Sequence, residues 1–301
     1  MTRTDAKNIL VVGLGSMGFG MAESLLSAGH NVFGADIDAE KVQTLCAKGA
    51  QSADQLGKSE ADVLVSVVLN AEQTETVLFG TPDLAARVAK GGVVLSCATV
   101  APSFAQEMAA RATARGLHYL DAPISGGAVR AAAGQLSVMA SGSDAAFAAA
   151  SPALDAMAET VHRLGDTAGA GSAMKAVNQL LAGVHIAAMG EALAFGMTQG
   201  LDIGRMIDVI SVSAGTSWMF ENRAPHVRDA DYTPRSTISI WPKDLGIVSE
   251  IAQSAGLDVP ITRTALERYR EAAGSGLGLE DDAAIIKPYA ASVGLKLPGE
   301  E

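Results

Sequence analysis

Three polar side chains lie close together in an otherwise apolar segment, and their types suit proton transfer. Lys175 is the only charged residue in the stretch 174–181 (MKAVNQLL), and Asn178 and Gln179 follow it at the third and fourth positions. In a helix these offsets place the three polar groups on one face. Burial disfavours the charged form of a lysine side chain and so makes it a better general base. The alternative is a surface lysine whose amine reaches water.

A glycine-rich turn near the start of the chain has the spacing of a dinucleotide-binding loop. It follows the apolar run 8–12 (NILVV) and opens a segment with helical character, which is the context that the G-x-G-x-x-G motif requires. The first glycine permits a tight turn, the second lets a pyrophosphate approach the backbone, and the third allows close helix–strand packing. The alternative is a glycine turn with no ligand. The predicted cofactor-binding residues here are Gly13, Leu14, Gly15, Ser16, Met17 and Gly18.

An acidic residue is expected where the second strand ends, because it would bond the ribose hydroxyls of the cofactor. Asp36 stands at that place. No arginine follows it directly, since residues 37–40 are Ile-Asp-Ala-Glu. A 2′-phosphate would therefore meet carboxylates, and the sequence predicts NAD in preference to NADP.

A second loop rich in glycine, 121–127 (DAPISGG), follows the fifth predicted strand. Loops at the carboxyl ends of strands bind ligands in open α/β sheets. Glycines beside a serine expose backbone N–H groups that can hold a carboxylate, and the serine adds a hydroxyl donor. The alternative is a structural turn. The predicted substrate-binding residues of this loop are Ser125, Gly126 and Gly127.

Strand and helix patterns alternate through the first half of the chain. This alternation predicts βαβ units and a mostly parallel sheet covered on both faces. The predicted strands are 8–12, 31–35, 62–68, 92–97, 117–121 and 135–140. The predicted helices are near 16–28, 39–48, 72–78, 82–89, 102–115 and 144–157.

The strand patterns stop after about Gly165, which predicts that the second half is all-α. A long helix at about 169–199 is followed by helices near 203–213, 217–228, 243–255, 260–273 and 281–291. The predicted fold class is therefore α/β, with an N-terminal Rossmann domain (1–166) and a C-terminal all-α domain (167–301) joined by the long helix.

Composition limits the partners of this protein. The chain has 301 residues, a formal net charge of −11 and a pI of about 4.9. Nucleic acid and anionic membranes need clustered Lys and Arg, so neither is predicted as a partner. The apolar stretch 180–197 carries His185 and Glu191, and it predicts a buried helix between domains or subunits rather than a membrane span. Its apolar character predicts a homo-oligomer, either a dimer or a tetramer.

The cysteine count and the N-terminus predict a cytoplasmic protein. Cys46 and Cys97 are too few for a disulfide framework, which favours a reduced compartment. The first residues (MTRTDAKN) lead directly into a predicted strand and contain no apolar signal-peptide segment. No metal site is predicted.

Four segments together resemble the β-hydroxyacid dehydrogenase family. They lie in the right order over nearly the whole chain, which makes the resemblance more specific than any single motif. Members of this family have an N-terminal Rossmann domain and a C-terminal all-α domain joined by a long helix. The segments are 13–25 (GLGSMGFGMAESL), 121–136 (DAPISGGAVRAAAGQL), 169–181 (GAGSAMKAVNQLL) and 243–248 (KDLGIV).

The resemblance implies a role for each matching residue. The catalytic lysine of the family corresponds to Lys175, and its asparagine corresponds to Asn178. The substrate-binding serine and glycines correspond to Ser125, Gly126 and Gly127. The further cofactor contacts implied are Leu69, Thr99 and Lys243. Asn70 follows Leu69 where the family has Leu-Pro, which is a departure from the pattern. The implied ligands are NAD and a small hydroxy acid.

Other stretches resemble the branch of this family that oxidises the four-carbon sugar acid L-threonate at C2 with NAD. A polyhydroxylated acid has more hydroxyl groups to satisfy, and a site built to bond them rejects analogues that lack them. Gln179 and Trp218 are the substrate-binding residues that this resemblance implies. His185, Glu221, Asn222 and Arg223 are polar candidates without an assigned role. The stretches are 178–188 (NQLLAGVHIAA), 213–223 (SAGTSWMFENR) and 231–236 (DYTPRS).

Several other functions share parts of this pattern. The nearest rival enzyme acts on another small hydroxy acid, such as 3-hydroxyisobutyrate or tartronate semialdehyde, with the same fold and the same lysine. Imine reductases share the architecture but usually lack the lysine, so Lys175 argues against them. A non-catalytic dinucleotide-binding module is the alternative from a different class.

Overall fold

The computed structural model describes residues 6–58 and 60–300 and contains two compact units. The first unit ends at Lys175 and the second begins at Ala176. This division lies inside the long helix, whereas the predicted domain boundary at 166/167 lies before that helix. The interpretation of the N-terminus as lacking a signal segment rests partly on residues 1–5, which lie outside the described residues.

A six-stranded parallel sheet forms the centre of the first unit. Its strands are β1 (Asn8–Val12), β2 (Asn31–Ala35), β3 (Gln51–Ser52), β4 (Ala61–Ser66), β5 (Val88–Ser96) and β6 (His118–Asp121). Their order is β3-β2-β1-β4-β5-β6, so the direction of strand addition reverses between β1 and β4. The carboxyl ends of strands at such a reversal flank the crevice that binds ligands in open α/β sheets.

Helices cover both faces of this sheet because its strands are apolar on both sides. Along β1, Ile9 and Val11 belong to one buried cluster, whereas Leu10 and Val12 belong to another. A strand buried on both faces reads as a continuous apolar run, which is why these strands were recognisable in the sequence. The helices of this unit before the long one are α1 (Ser16–Ser27), α2 (Ala39–Ala47), α3 (Ala71–Phe79), α4 (Pro102–Ala114), α5 (Gly127–Ala132) and α6 (Asp144–Met157).

A smaller three-stranded sheet completes the first unit. β7 (Ile124–Ser125) pairs antiparallel with β8 (Leu136–Ala140), and β8 pairs parallel with β9 (Ala158–Arg163). The strand predicted at 135–140 is therefore present, but it belongs to this separate sheet. β9 is mostly exposed and polar, and β7 is only two residues long, so neither gives the apolar run by which the other strands were predicted.

The segment predicted as a helix at 82–89 is not an α-helix, and this prediction was wrong. A 3₁₀ turn occupies Leu84–Arg87, and β5 begins at Val88. Asp83 has a left-handed backbone with φ of 47°, which an α-helix does not accommodate. Val88 is buried and pairs with Ala61 of β4, so sheet pairing decides the conformation of residues whose composition suits a helix.

The second unit contains no strand among its described residues 176–300, as predicted. It holds the greater part of α7 (Ala170–Thr198), with α8 (Ile203–Ile210), α9 (Trp218–Arg228), α10 (Ile240–Ser254), α11 (Pro260–Ala272) and α12 (Ile286–Ser292). The helix predicted at 281–291 begins instead with a 3₁₀ turn at Asp282–Ile285. The predicted fold class, an α/β Rossmann sheet followed by a helical region, is confirmed.

Buried polar contacts hold the helices of the second unit together. Trp241 stacks on Tyr269 with ring centroids 5.6 Å apart, and the Tyr269 hydroxyl donates to the Gly183 carbonyl over 2.9 Å. Trp241 Nε1 donates over 3.1 Å to the buried carboxylate of Asp282, which also forms an ion pair with Arg223. Arg223 therefore has a structural partner, which accounts for one of the unassigned polar candidates.

The long helix α7 is apolar along much of its length. Among the described residues it is the one helix long and apolar enough to cross a membrane, a property that core helices of soluble proteins share. Ile186, Met189 and Leu193 on α7 are almost fully buried in the core of the second unit. Part of the segment 180–197 is therefore packed in a core, whereas its predicted location between domains or subunits stays a prediction.

Candidate active site

The glycine turn connects β1 to α1 at the carboxyl end of β1, as the motif predicts. Gly13 has φ of 89°, and a Cβ added there would overlap the carbonyl oxygen of Val67. A Cβ at Gly18 would overlap the carbonyl oxygen of Gly13. At Gly15, by contrast, no atom of the described residues lies within 4 Å of a Cβ position. Two of the glycines are therefore required by packing, whereas the middle one borders open space.

The N-terminus of α1 has the properties of an anion site. Gly15 precedes the helix, and no described side chain caps the first turn with a hydrogen bond. The N–H groups and the dipole of a helix N-terminus favour a negative ligand. The open space at Gly15 lies at this same helix end, so the turn fits the diphosphate of a dinucleotide.

Asp36 follows β2 and braces the glycine turn. Its Oδ2 accepts a hydrogen bond from the Leu14 N–H, and its Oδ1 accepts from the Asp38 N–H over 2.9 Å. The side chain is half-buried, whereas the neighbouring Ile37 is fully exposed. The structure thus places Asp36 beside the turn, as predicted for a ribose-binding residue, and shows a structural contact that the sequence did not reveal.

The segments after β4 and β5 carry two more of the predicted cofactor contacts. Leu69 is 50% exposed, and its N–H donates to Gln73 Oε1 over 2.9 Å. Asn70 caps α3 by accepting from the Gln73 N–H, also over 2.9 Å. Asn70 therefore starts this helix by side-chain capping. The proline that the family has at this position would instead favour the helix start by its fixed backbone angle. Thr99 lies just after β5 and is partly exposed.

The serine–glycine loop follows β6 and is accessible to a ligand. Ser125 ends β7, while Gly126 and Gly127 open α5 with φ of 138° and 78°. These angles lie in a region that glycine adopts readily and other residues rarely do. All three residues are at least partly exposed, so this loop lies at the surface of the first unit.

Lys175 lies in the second turn of α7 and is brought to the strand that carries Ser125. The lysine is 8% exposed, and its Nζ donates to the Ile124 carbonyl oxygen over 2.9 Å. Ile124 directly precedes Ser125 in β7. The side chain therefore does not extend into water as that of a surface lysine would, and the structure brings together the two residues predicted for catalysis and substrate binding.

A chain of polar contacts joins three predicted site residues of the second unit. Asn178 Nδ2 donates to Gln179 Oε1 over 3.0 Å, and Gln179 Nε2 donates to Asp244 Oδ2. Lys243 Nζ lies 2.7 Å from Asp244 Oδ1. Gln179 and Asp244 are both buried, so this chain orients the amide of Asn178 and the amine of Lys243.

Trp218 and His185 stand apart from this polar chain. Trp218 is the first residue of α9 and is 63% exposed, so packing inside the second unit does not account for its indole ring. His185 lies on α7 and is half-buried. Ser217 caps α9 by accepting from the Phe220 N–H over 3.0 Å, which fixes where Trp218 begins the helix.

Sequence reasoning missed two buried acidic residues that hold site residues in place. Asp244 lies between Gln179 and Lys243, and Asp121 contacts the N-terminus of α7. Both belong to segments that carry the family resemblance, 121–136 and 243–248. The feature that could have revealed them in the sequence is a charged residue beside apolar ones. Buried carboxylates need compensating hydrogen bonds or cations, which is why they mark places where parts of a fold are tied together.

Cys97 is not a nucleophile candidate. Burial raises the pKa of its thiol to about 12, and the negative charge of Asp121 adds to the shift. The group therefore stays a protonated thiol at neutral pH, and the thiolate that nucleophilic chemistry needs is not formed.

Comparisons with known proteins agree with this geometry. The family model for the NAD binding domain of 6-phosphogluconate dehydrogenase matches residues 8–165, and the model described as NAD-binding of NADP-dependent 3-hydroxyisobutyrate dehydrogenase matches residues 169–289. L-Threonate dehydrogenase of Cupriavidus necator is 47% identical over 98% of this chain and 99% of its own. That of Pectobacterium atrosepticum is 44% identical over 96% of each chain.

A solved structure extends the likeness to three dimensions. The crystal structure of a 3-hydroxyisobutyrate dehydrogenase from Salmonella typhimurium has a TM-score of 0.88 to this chain at 46% identity, and the match covers 94% of this chain and 99% of that one. A Rossmann sheet with a dinucleotide turn, followed by a helical unit, is the architecture of a nicotinamide-dependent dehydrogenase.

The chain belongs to the β-hydroxyacid dehydrogenase family. The enzyme class predicted from the sequence, an NAD-dependent hydroxyacid dehydrogenase, is confirmed. The protein therefore uses a nicotinamide dinucleotide as its cofactor and acts on a small molecule.

Proposed function

We propose that the protein oxidises L-threonate at C2 with NAD, giving 2-dehydro-L-erythronate, and that Lys175 is the general acid/base. The observation that carries this proposal is the hydrogen bond from the buried Lys175 amine to the Ile124 carbonyl, because it holds a proton-transfer group beside Ser125. The identities of 47% and 44% to L-threonate dehydrogenases support the choice of acid.

In this proposal the cofactor is bound along the carboxyl ends of the first strands. Gly15 and the N–H groups at the start of α1 would hold the diphosphate, and Asp36 would bond the ribose hydroxyls. A 2′-phosphate would meet the carboxylates of Asp36 and Asp38, so NAD is preferred over NADP. When bound, the nicotinamide accepts the hydride that leaves the substrate. The proposed cofactor residues are Gly13, Leu14, Gly15, Ser16, Met17, Gly18, Asp36, Leu69, Thr99 and Lys243.

The substrate carboxylate is bound by the Ser125 hydroxyl and by the N–H groups of Gly126 and Gly127. Neutral Lys175 takes the proton of the C2 hydroxyl as the hydride leaves C2, and it returns a proton in the reverse direction. Asn178, three residues further along α7, orients the reacting groups. The additional hydroxyl groups of the sugar acid are assigned to Gln179 and Trp218.

Three broader features belong to the same proposal. The domains are 1–166 for the cofactor and 167–301 for substrate binding and assembly, and the protein is a cytoplasmic homo-oligomer, either a dimer or a tetramer. Exposed apolar side chains at helical spacing on α7 support assembly, because a monomer rarely exposes such a stripe. They are Met174, Val177, Leu181 and Phe195.

The function is tested by initial rates of nicotinamide reduction on a panel of acids with NAD and with NADP. The panel holds L-threonate, D-threonate, D- and L-erythronate, 3-hydroxyisobutyrate, glycerate and 3-hydroxybutyrate. We expect the highest kcat/KM with L-threonate and NAD. A higher value with another acid would overturn the substrate assignment. Dinucleotide binding without turnover on any acid would overturn the proposed reaction.

Ser125→Ala is expected to raise the KM for the acid by on the order of 10-fold with a smaller change in kcat, because one hydrogen bond to a charged group is lost. The measurement is a steady-state rate series at saturating NAD. Ser137→Ala is the matched control, since Ser137 pairs with Ser125 across β7 and β8 but carries no proposed role. An unchanged KM in Ser125→Ala would remove Ser125 from the carboxylate site.

A second candidate substrate is 3-hydroxyisobutyrate. The observation in its favour is the likeness to the Salmonella typhimurium 3-hydroxyisobutyrate dehydrogenase structure, at 46% identity and a TM-score of 0.88. The two acids differ in the number of hydroxyl groups, so the panel above separates them directly.

A further inference from the structure

Asp121 is the one buried carboxylate among the described residues of the first unit, and its side chain accepts four hydrogen bonds. None of the proposed catalytic steps uses it. It ends β6 and is 1% exposed. Its Oδ2 accepts from the Gly169 N–H over 2.9 Å, from the Ser172 N–H over 2.8 Å and from the Ser141 hydroxyl over 3.2 Å. Its Oδ1 accepts from the Ser172 hydroxyl over 2.7 Å.

These contacts fix the start of α7. The helix begins at Ala170, so the N–H groups of Gly169 and Ser172 are among those that a helix N-terminus leaves without a helical partner. A negative charge is favourable at this end of a helix dipole. Ser141 Oγ also accepts from the Gly171 N–H over 2.9 Å, so one buried carboxylate and one buried hydroxyl together hold three amides of the first turn.

The first turn of α7 lies directly against the strand ends. A Cβ added at Gly171 would lie 2.8 Å from the Asp121 carbonyl oxygen and would overlap the Met139 carbonyl oxygen. The backbone of α7 at Gly171 therefore packs against the backbone of Asp121 and Met139 with no room for a side chain. Burial raises the pKa of Asp121, and its hydrogen bonds from Ser172, Gly169 and Ser141 oppose that shift.

The same two segments meet again one turn later. Asp121 and Ile124 lie three residues apart at the junction of β6 and β7. Ser172 and Lys175 lie three residues apart on α7. The Asp121–Ser172 contacts and the Lys175–Ile124 bond thus form two adjacent clamps between these stretches. Ser125 follows the second clamp directly, so the relative position of Ser125 and Lys175 depends on both clamps.

We propose that Asp121 is a positioning residue, which sets the distance between Lys175 and Ser125 by anchoring the first turn of α7 to the end of β6. It is 1% exposed, and no contact with substrate or cofactor is assigned to it. The inference rests on the proposed role of Lys175 as the general acid/base, and it adds a residue that acts through Lys175.

The test compares Asp121→Ala with Asp121→Asn. Asp121→Ala removes every acceptor that holds the first turn of α7. We expect kcat to fall by on the order of 100-fold, because moving the Lys175 amine by about 1 Å from its working position lowers the rate by about that factor. We expect the dissociation constant for NAD to change by less than about 3-fold, or about 0.6 kcal/mol. Asp121→Asn keeps an acceptor for the helix amides, and the Ser172 hydroxyl can turn to accept from its amide group. We therefore expect this variant to recover most of kcat.

Ser143→Ala is the matched control for lost stability. Ser143 caps α6 by accepting from the Ala146 N–H over 3.2 Å, and it has no proposed role in the reaction. Rates are expressed per NAD-binding site, so that unfolded protein does not count. If Asp121→Ala keeps the kcat of Ser143→Ala, or raises only the KM, the positioning role is overturned.

A second readout does not depend on turnover. Acetic anhydride modifies exposed amines, and mass spectrometry gives the rate at Lys175 relative to exposed Lys58. We expect slow modification of Lys175 in the native protein and in Ser143→Ala, and a rate at least about 5-fold higher in Asp121→Ala. If the native protein oxidises no acid in the panel but the labelling rates follow this pattern, the proposed function fails and the positioning role stands. If it is active and Lys175 labelling is unchanged in Asp121→Ala, the positioning role fails alone.

Discussion

Lys175→Ala is expected to lower kcat by roughly 10³-fold, since general acid–base catalysis contributes about 10²–10⁴-fold to such reactions. The dissociation constant for NAD should stay nearly unchanged, because the glycine turn and Asp36 lie on other elements than α7. Steady-state rates and calorimetric NAD titration measure the two quantities separately.

Two companion variants distinguish proton transfer from other effects of Lys175. Lys175→Arg keeps the positive charge, but a guanidinium does not give up its proton near neutral pH, so this variant should be nearly as slow as Lys175→Ala. Lys58→Ala removes an exposed lysine that has no proposed role, and it should keep normal rates. Substantial activity in Lys175→Arg would show that charge, and not proton transfer, is what the lysine supplies. Loss of NAD binding in Lys175→Ala would make the residue structural.

The second large effect is expected in the glycine turn, where two neighbouring substitutions should separate folding from binding. Gly18→Ala forces a Cβ onto the Gly13 carbonyl and within 3.2 Å of Val67 Cβ. We expect it to lower the free energy of unfolding by about 1–3 kcal/mol or more, as overpacking does, and to abolish NAD binding because β1 and α1 must move apart.

Gly15→Ala should leave the fold intact and weaken the cofactor alone. Its φ of −68° suits any residue, and its Cβ would enter open space. The methyl group would occupy the place that a diphosphate approaches, so we expect the dissociation constant for NAD to rise by on the order of 10-fold, or about 1.4 kcal/mol. Thermal unfolding with and without NAD measures both effects. A Tm loss in Gly15→Ala as large as that in Gly18→Ala would contradict this division of roles.

The parts of the fold that sequence predicted well are those set by local pattern. β1, the glycine turn and α1 follow one another without a gap, and each has a signal of its own: a continuous apolar run, a fixed glycine spacing and helical periodicity. Lys175 was recognisable for the same reason, since a lone charge in an apolar segment is visible in the sequence alone.

The features that sequence did not predict depend on contacts between distant residues. Asp121 and Ser172 are 51 positions apart, and Gln179 and Asp244 are 65 positions apart, so no local spacing reveals either bond. The helix expected at 82–89 failed for a related reason. Val88 joins the sheet through its pairing with Ala61, and this pairing overrides the helical preference of the residues before it.

The bond between Asp36 and the Leu14 N–H bears on any attempt to redesign coenzyme preference. Replacing Asp36 with a smaller residue would admit a bulkier adenosine ribose, but it would also leave that amide without its acceptor, at a cost of about 1–3 kcal/mol within the turn that carries the diphosphate. Ile37 is fully exposed, so Ile37→Arg would add a cation without disturbing the brace. A substitution at position 37 therefore keeps the glycine turn rigid. A substitution at position 36 changes the coenzyme preference but also loosens that turn.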